Sequence, residues 1–131
     1  MTNSSAKTCT KCRRALPQDA FARSNVGAGG LRSQCRSCRA QADRDYLLQR
    51  RFGMSAEQFD ALLAAQGGRC ALCQRFEPGG RWGRFHVDHC HQTGQIRGIL
   101  CHGCNVALGA LGDDIEGLTR ALRYVSQAGV D

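Results

Sequence analysis

Four C-x-x-C pairs constrain this chain more than any other feature: Cys9/Cys12, Cys35/Cys38, Cys70/Cys73 and Cys101/Cys104, with Cys90 standing alone. A C-x-x-C turn presents two thiolates to one metal from a tight knuckle, and tetrahedral zinc takes four such soft ligands. One pair is weak evidence; four pairs in 131 residues predict two structural zinc sites. The opening MTNSSAKTCTKC lacks the apolar stretch of a secretory signal, which predicts a cytoplasmic protein. A disulfide framework is disfavoured in that reducing compartment. Metal also answers a problem of size. Aromatic residues are 6% and glycines number 16, so burial alone would struggle to offset the folding entropy of so short a chain. No apolar run approaches the ~18 residues of a membrane span, and no membrane partner is expected.

Between the first two pairs lie 22 residues and between the last two 27, so each half reads C-x-x-C, hairpin, C-x-x-C and helix, a weak internal repeat. Sequential pairing puts Cys9, Cys12, Cys35 and Cys38 on one zinc and Cys70, Cys73, Cys101 and Cys104 on the other. It closes shorter loops than a cross-brace, which spacing alone leaves open. His86, His89, His91 and His102 are not needed as zinc ligands.

The formal charge is +7, and 16 of the 18 basic residues are arginine. Eight thiolates and two zinc ions would bring the net charge to about +3. The charge is uneven: residues 1–51 carry 11 Lys/Arg against three acids, residues 52–109 five against four, and residues 110–131 two against four. Basic charge concentrated in one segment is the footprint of nucleic-acid binding, although a solvated arginine-rich face has the same composition. Arg32, Arg36 and Arg39, close to helical spacing, are the candidate DNA-backbone contacts.

These shifts predict a polar, disordered tail over 1–8, an arginine-rich zinc module over 9–51 and a second unit over 52–131. Residues 15–34 read as a hairpin with a glycine-rich tip. A helix is expected from about Cys38, and the Ser55/Gln58 capping box opens another that stops at Gly67-Gly68. Strands are expected over 85–90 and 95–100, then a helix from Cys104 or Asn105. Asp113 and Glu116 read as a capping box for a last helix, with Ile115, Leu118, Ala121, Leu122 and Val125 on one face. That stripe either covers the core of its own chain or meets a symmetry mate in a homodimer.

The segment FHVDHCHQTGQIRGILCHGCN carries the chemistry. Asp88-His89 ends one strand, a turn and a second strand follow, and Asn105 opens the helix. A hard cation such as Mg²⁺ or Mn²⁺ prefers oxygen ligands, which the Asp88 carboxylate and the Asn105 amide carbonyl would supply. A neutral imidazole at His89 can take a proton from an attacking water, and Arg97 could grip a phosphate. His86 reads as structural and Cys90 as a small buried hydrophobe. Trp82, within GGRWGRF, reads either as a stacking side chain for DNA or as the anchor of its own loop.

The motifs RFGMSAEQFDALLAAQGGRCALC, HVDHCH, GQIRGILCHGCN and ALGALGDD, in that order, resemble the recombination endonuclease VII family of HNH (ββα-metal) nucleases. The resemblance covers a little over half the chain. It implies a small α+β, zinc-stapled protein with a ββα-metal core. It further implies that Asp88 and Asn105 hold the catalytic metal, that His89 is the general base, and that His91 lies near the scissile phosphate. The implied activity is hydrolysis of DNA phosphodiester bonds in a bacterial or phage-infected cell. Two departures stand out: Cys90 where the family often has an acid, and Leu108 where some members have an acid near the metal. The N-terminal half resembles the zinc-knuckle, treble-clef-like modules that precede such cores. The competing class is a non-catalytic zinc module binding nucleic acid or protein. It would need the cysteines and arginines but would have no use for Asp88, His89 and Asn105 together.

Overall fold

A computed structural model describes residues 5–129 and divides the chain into two units, Met1–Gly53 and Met54–Asp131. In the first, strand β1 (Lys7–Thr8) pairs antiparallel with β2 (Ala15–Leu16). Strand β3 (Phe21–Arg23) pairs with β4 (Leu31–Cys35), which runs into helix α1 (Arg36–Phe52). Two expectations are corrected here. Lys7–Thr8 is a paired strand and not part of a disordered tail; residues 1–4 of that tail lie outside the described residues. The 15–34 hairpin is shorter than expected, because Ala15–Leu16 pairs back to β1 and leaves β3–β4 to make the turn. Helix α1 begins two residues before Cys38 and ends where Gly53 adopts φ 62°, a left-handed conformation that suits glycine. Cys9, Phe21 and Cys35 form the buried centre, with Leu16, Leu31 and the other two cysteines packed around it.

The second unit opens with helix α2 (Ala56–Ala65), whose Ser55/Gln58 capping box forms with both reciprocal hydrogen bonds. Strands β5 (His86–His89) and β6 (Ile96–Leu100) make an antiparallel hairpin, followed by helices α3 (His102–Ala110) and α4 (Ile115–Ser126). Helix α3 packs against both strands, which is the ββα unit, while α2 packs on β6. The Gln66 side chain ties α2 to the hairpin. It accepts from the Ile99 backbone N–H at 2.9 Å and donates to the Ile99 carbonyl at 2.9 Å, completing a strand edge with one amide. Cys70, Leu100 and Cys101 are the buried centre, flanked by Phe85, Cys104 and Leu108.

The two knuckles are built alike. Cys9 N–H donates to the Arg14 carbonyl at 3.0 Å, and Cys70 N–H to the Arg75 carbonyl at 2.8 Å. The residue after each knuckle, Arg13 or Gln74, takes a positive φ of 63° or 66°. Each helix after a hairpin has a cysteine at its N-cap position, Cys35 at φ −66°, ψ 161° and Cys101 at φ −66°, ψ 164°. The molecule is thus a small α+β protein with a ββα unit and two four-cysteine clusters.

Helix α4 corrects two further expectations. Its N-cap is Asp114, not Asp113: the Asp114 carboxylate accepts from Gly117 N–H at 2.7 Å. A Cβ at Gly117 would come within 1.6 Å of the Leu111 carbonyl oxygen, so only glycine fits there. The apolar stripe does not cover the core, since Ile115, Leu118, Leu122 and Val125 are all exposed, Ile115 by 83%. Among the described residues no helix is long and apolar enough to cross a membrane.

Candidate active site and metal centres

The eight paired cysteines gather into two clusters, Cys9/Cys12/Cys35/Cys38 and Cys70/Cys73/Cys101/Cys104, with the sulfurs of each set within 4.8 Å of one another. The pairing is sequential, and the cross-braced alternative is ruled out. Tetrahedral zinc with ~2.3 Å bonds sets its sulfurs ~3.8 Å apart, and Cys73 Sγ and Cys101 Sγ stand at 3.7 Å. The donor set and its spacing therefore fit zinc. Burial raises the pKa of Cys9, but backbone N–H groups of Cys35, Cys12 and Lys11 outweigh it and bring the thiol down to about 6. Cys70 is likewise raised by burial and brought to about 6 by the Cys101, Cys73 and Leu72 amides. Opposite them, Cys38 is pushed up to about 12, first by its hydrogen bond with Cys35, and Cys104 to about 12, first by burial. Four sulfurs this close cannot all hold charge without a cation among them.

Strand β5 carries Asp88 and His89 at its end. The register runs His86 to Leu100, Val87 to Ile99 and Asp88 to Gly98, and then slips, so that His89 faces Ile96 and Arg97 is the extra residue of a β-bulge. In a regular ladder Arg97 would stand opposite His89 and share its face. The bulge re-aims it. Arg97 Nε donates to Asp88 Oδ2 at 2.7 Å and Nη2 to Oδ1 at 2.9 Å, a bidentate clamp on the carboxylate of a buried residue. Arg97 Nη2 also donates to the Asp113 carboxylate. These bonds, Asp88 first and then Asp113, hold the guanidinium's pKa above its already high ordinary value. Arg97 is thus not the free phosphate-gripping cation that the sequence suggested.

The Asp113 carboxylate also lies 3.4 Å from His91 Nε2, and the His91 ring stacks on His89 at 4.9 Å between centroids. Asp113 is the residue that sequence reasoning missed. Its signal was present in the pair Asp113-Asp114 after Gly112: one helix start needs one cap, and the other acid is surplus. Asp113 holds φ 56° beyond the end of α3, which turns its side chain back toward β6. Leu108, where some family members have an acid, packs instead against the Cys70–Leu100–Cys101 core.

Asn105 lies in the first turn of α3, the helix that packs on β5 and β6. The carboxylate and amide oxygens of Asp88 and Asn105 suit a hard divalent cation by their chemistry. His86 is apart from this group: its Nε2 lies 3.4 Å from His102 Nδ1, and burial, then His102, lowers its pKa. Cys90 is half-buried, so it is not the buried hydrophobe expected. Hydrogen bonds from the Thr93 side chain, the Thr93 backbone and the Gln92 backbone draw its pKa down. In the first unit, Arg32 lies on β4, while Arg36 and Arg39 begin α1. Arg36 Nε donates to the Asp19 carbonyl at 3.1 Å, and Arg39 pairs with Asp43 at 3.3 Å.

Residues 45–127 match the profile of the family described as recombination endonuclease VII. The chain is 47% identical over 75 residues to the Gene 59 protein of Mycobacterium phage D29, covering 56% of this chain and 44% of that protein. It is 36% identical over 91 residues to the Gene 59 protein of Mycobacterium phage L5, covering 69% of this chain and 54% of that one. It therefore spans about half the length of the curated relatives it matches. The crystal structure of the beta-beta-alpha-Me type II restriction endonuclease Hpy99I aligns over 95% of this chain and 70% of that one, at 24% identity and a TM-score of 0.44.

Proposed function

This chain belongs to the recombination endonuclease VII family, and we propose that it is a divalent-metal-dependent endonuclease of the HNH type that hydrolyses phosphodiester bonds in duplex or branched DNA. What supports this reading is that an Asp-His strand end, a bulged arginine and a helix asparagine all belong to one ββα unit in a chain of this family. Asp88 and Asn105 would hold Mg²⁺ or Mn²⁺, which when bound stabilises negative charge on the phosphate and on the leaving oxygen. An imidazole nitrogen of His89 takes the proton from the attacking water. Stacked against it, His91 limits the rotation of the His89 ring, and Asp113 holds His91 in turn. Arg97 fixes the plane of the Asp88 carboxylate.

Zinc in the two cysteine clusters is structural in this reading, because a closed four-thiolate site leaves no position for water or phosphate. Arg32, Arg36 and Arg39 contact the DNA backbone. The exposed stripe on α4 supports a twofold homodimer, which would bring one His89 to each strand of a duplex. Phage relatives support action in the cytoplasm of a phage-infected bacterial cell.

The test is cleavage of supercoiled duplex, linear duplex and a four-way junction with Mg²⁺ or with EDTA. Cutting of any of them only with the metal is expected. DNA binding with no cleavage of any substrate would leave a zinc-stapled binding module.

A further inference from the structure

The two units solve the same problem with loops of different length. From the second cysteine of the knuckle to the phenylalanine that packs on the cluster, the first unit uses eight residues (13–20) and the second eleven (74–84). The longer loop contains Arg81-Trp82-Gly83, which the knuckle does not require. Trp82, the chain's only tryptophan, is 73% exposed. It therefore does not anchor its own loop. The Arg81 guanidinium lies 4.9 Å over its ring, and Arg69 lies 4.5 Å over Phe76, itself 58% exposed. Across residues 69–84 there are four arginines and one acid.

The base of this loop is fixed. Pro78 accepts from His102 N–H at 2.8 Å, and a Cβ on Gly80 would meet the His102 ring at 2.7 Å, so the backbone lies flat against that ring. His102 in turn meets His86. From His86 to His89 is three residues of strand, ~10 Å.

We propose that Trp82, flanked by Arg81, is a stacking platform for an unpaired base of the DNA substrate. This rests on the nuclease reading and assigns to it a base-stacking residue outside the Asp88–His89 hairpin. Large exposed aromatic rings are costly in water, and here the charge around them is matched to a phosphate backbone. An arginine-flanked indole accepts any base by its π-face, while the arginine meets the adjoining phosphate. In an intact duplex the bases are already stacked on each other and present no free face.

Full-length protein carrying His89→Ala, which suppresses cutting, is titrated with an intact duplex and with the same duplex containing a three-nucleotide bulge. Tryptophan emission and the anisotropy of labelled DNA are followed together. Emission should be quenched strongly by the bulged DNA and little by the duplex. Adding Trp82→Ala should weaken binding of bulged DNA by about 5- to 100-fold and leave duplex binding within about twofold, while Trp82→Phe retains most of the affinity. Bulged DNA that binds by anisotropy without quenching overturns the platform, as does an equal loss on both DNAs with Trp82→Ala. Cleavage by the wild-type protein without quenching breaks this proposal alone. Quenching with no cleavage by wild type breaks the nuclease reading alone. Absence of binding to either DNA breaks both.

Discussion

The two units repeat one device with different contents. In each, a phenylalanine stands beside the cluster, Phe21 opposite Cys35 in the register and Phe85 packed on Cys70 and Cys101. Counting three and four residues on from that phenylalanine gives Ser24 and Asn25 in the first unit, and Asp88 and His89 in the second. Counting four on from the capping cysteine gives Arg39 in the first and Asn105 in the second. The knuckle, hairpin and helix are thus a scaffold held by four sulfurs, indifferent to what the hairpin end displays. One copy displays a hydroxyl, an amide and an arginine. The other displays a carboxylate, an imidazole and an amide, with Arg97 and Asp113 arranged around them. In the proposed function, stability is supplied locally in each unit and chemistry is added to one.

The sharpest way to break this comparison is to remove one staple at a time. Structural zinc contributes on the order of 10–16 kcal/mol to the fold that holds it. Cys101→Ser should unfold the second unit and abolish cleavage while the protein retains about one zinc. Cys9→Ser should also leave about one zinc but keep cleavage measurable, with weaker DNA binding. Elemental analysis, circular dichroism and a nicking assay read all three quantities. If either substitution removes both zinc ions, the two staples are not independent.

A smaller effect separates the two neighbouring acids of the α3–α4 turn. Asp113→Asn should lower the cleavage rate about 10-fold at unchanged zinc content and melting temperature, because it loosens Arg97 and His91 without touching a cap. Asp114→Ala should do the reverse, costing about 1 kcal/mol of stability and leaving the rate per folded molecule near wild type. Thermal unfolding beside single-turnover kinetics decides between them, and an exchange of the two phenotypes would restore Asp113 as the cap. Smallest of all should be the arginines at the start of α1. Arg36→Gln or Arg39→Gln should weaken DNA binding modestly, and the logarithmic salt slope should become shallower by ~0.9 for each phosphate that is no longer neutralised. An unchanged slope would return both to a solvated face.

Much of this was legible in the cysteines and the Ser55/Gln58 box, since ligand spacing and helix capping are local chemistry. The strand end at Asp88-His89 was legible for the same reason: alternation and a turn bracket it. What escaped depended on pairing. The bulge at Arg97 exists only in the register of β6 against β5, so spacing alone assigned that side chain to a phosphate instead of to Asp88. Helix α3 starts at His102, earlier than expected, because Cys101 sulfur accepts from Cys104 N–H at 3.4 Å and serves as the cap, a task ordinarily given to an oxygen. Lys7–Thr8 looked like tail because two residues carry no periodicity; only their pairing with Ala15–Leu16 makes them a strand.

The central claim is that one scaffold occurs twice and only the second copy cuts DNA. Full-length wild type, His89→Ala and Asn25→Ala, matched for zinc content, would be compared on supercoiled plasmid with Mg²⁺ under single-turnover conditions. His89→Ala should be about 10²- to 10⁴-fold slower, the range expected when a general base is lost. Asn25→Ala, at the matching position of the first unit, should cut at the wild-type rate. Cleavage by His89→Ala at the wild-type rate, or loss of cleavage with Asn25→Ala, would contradict it.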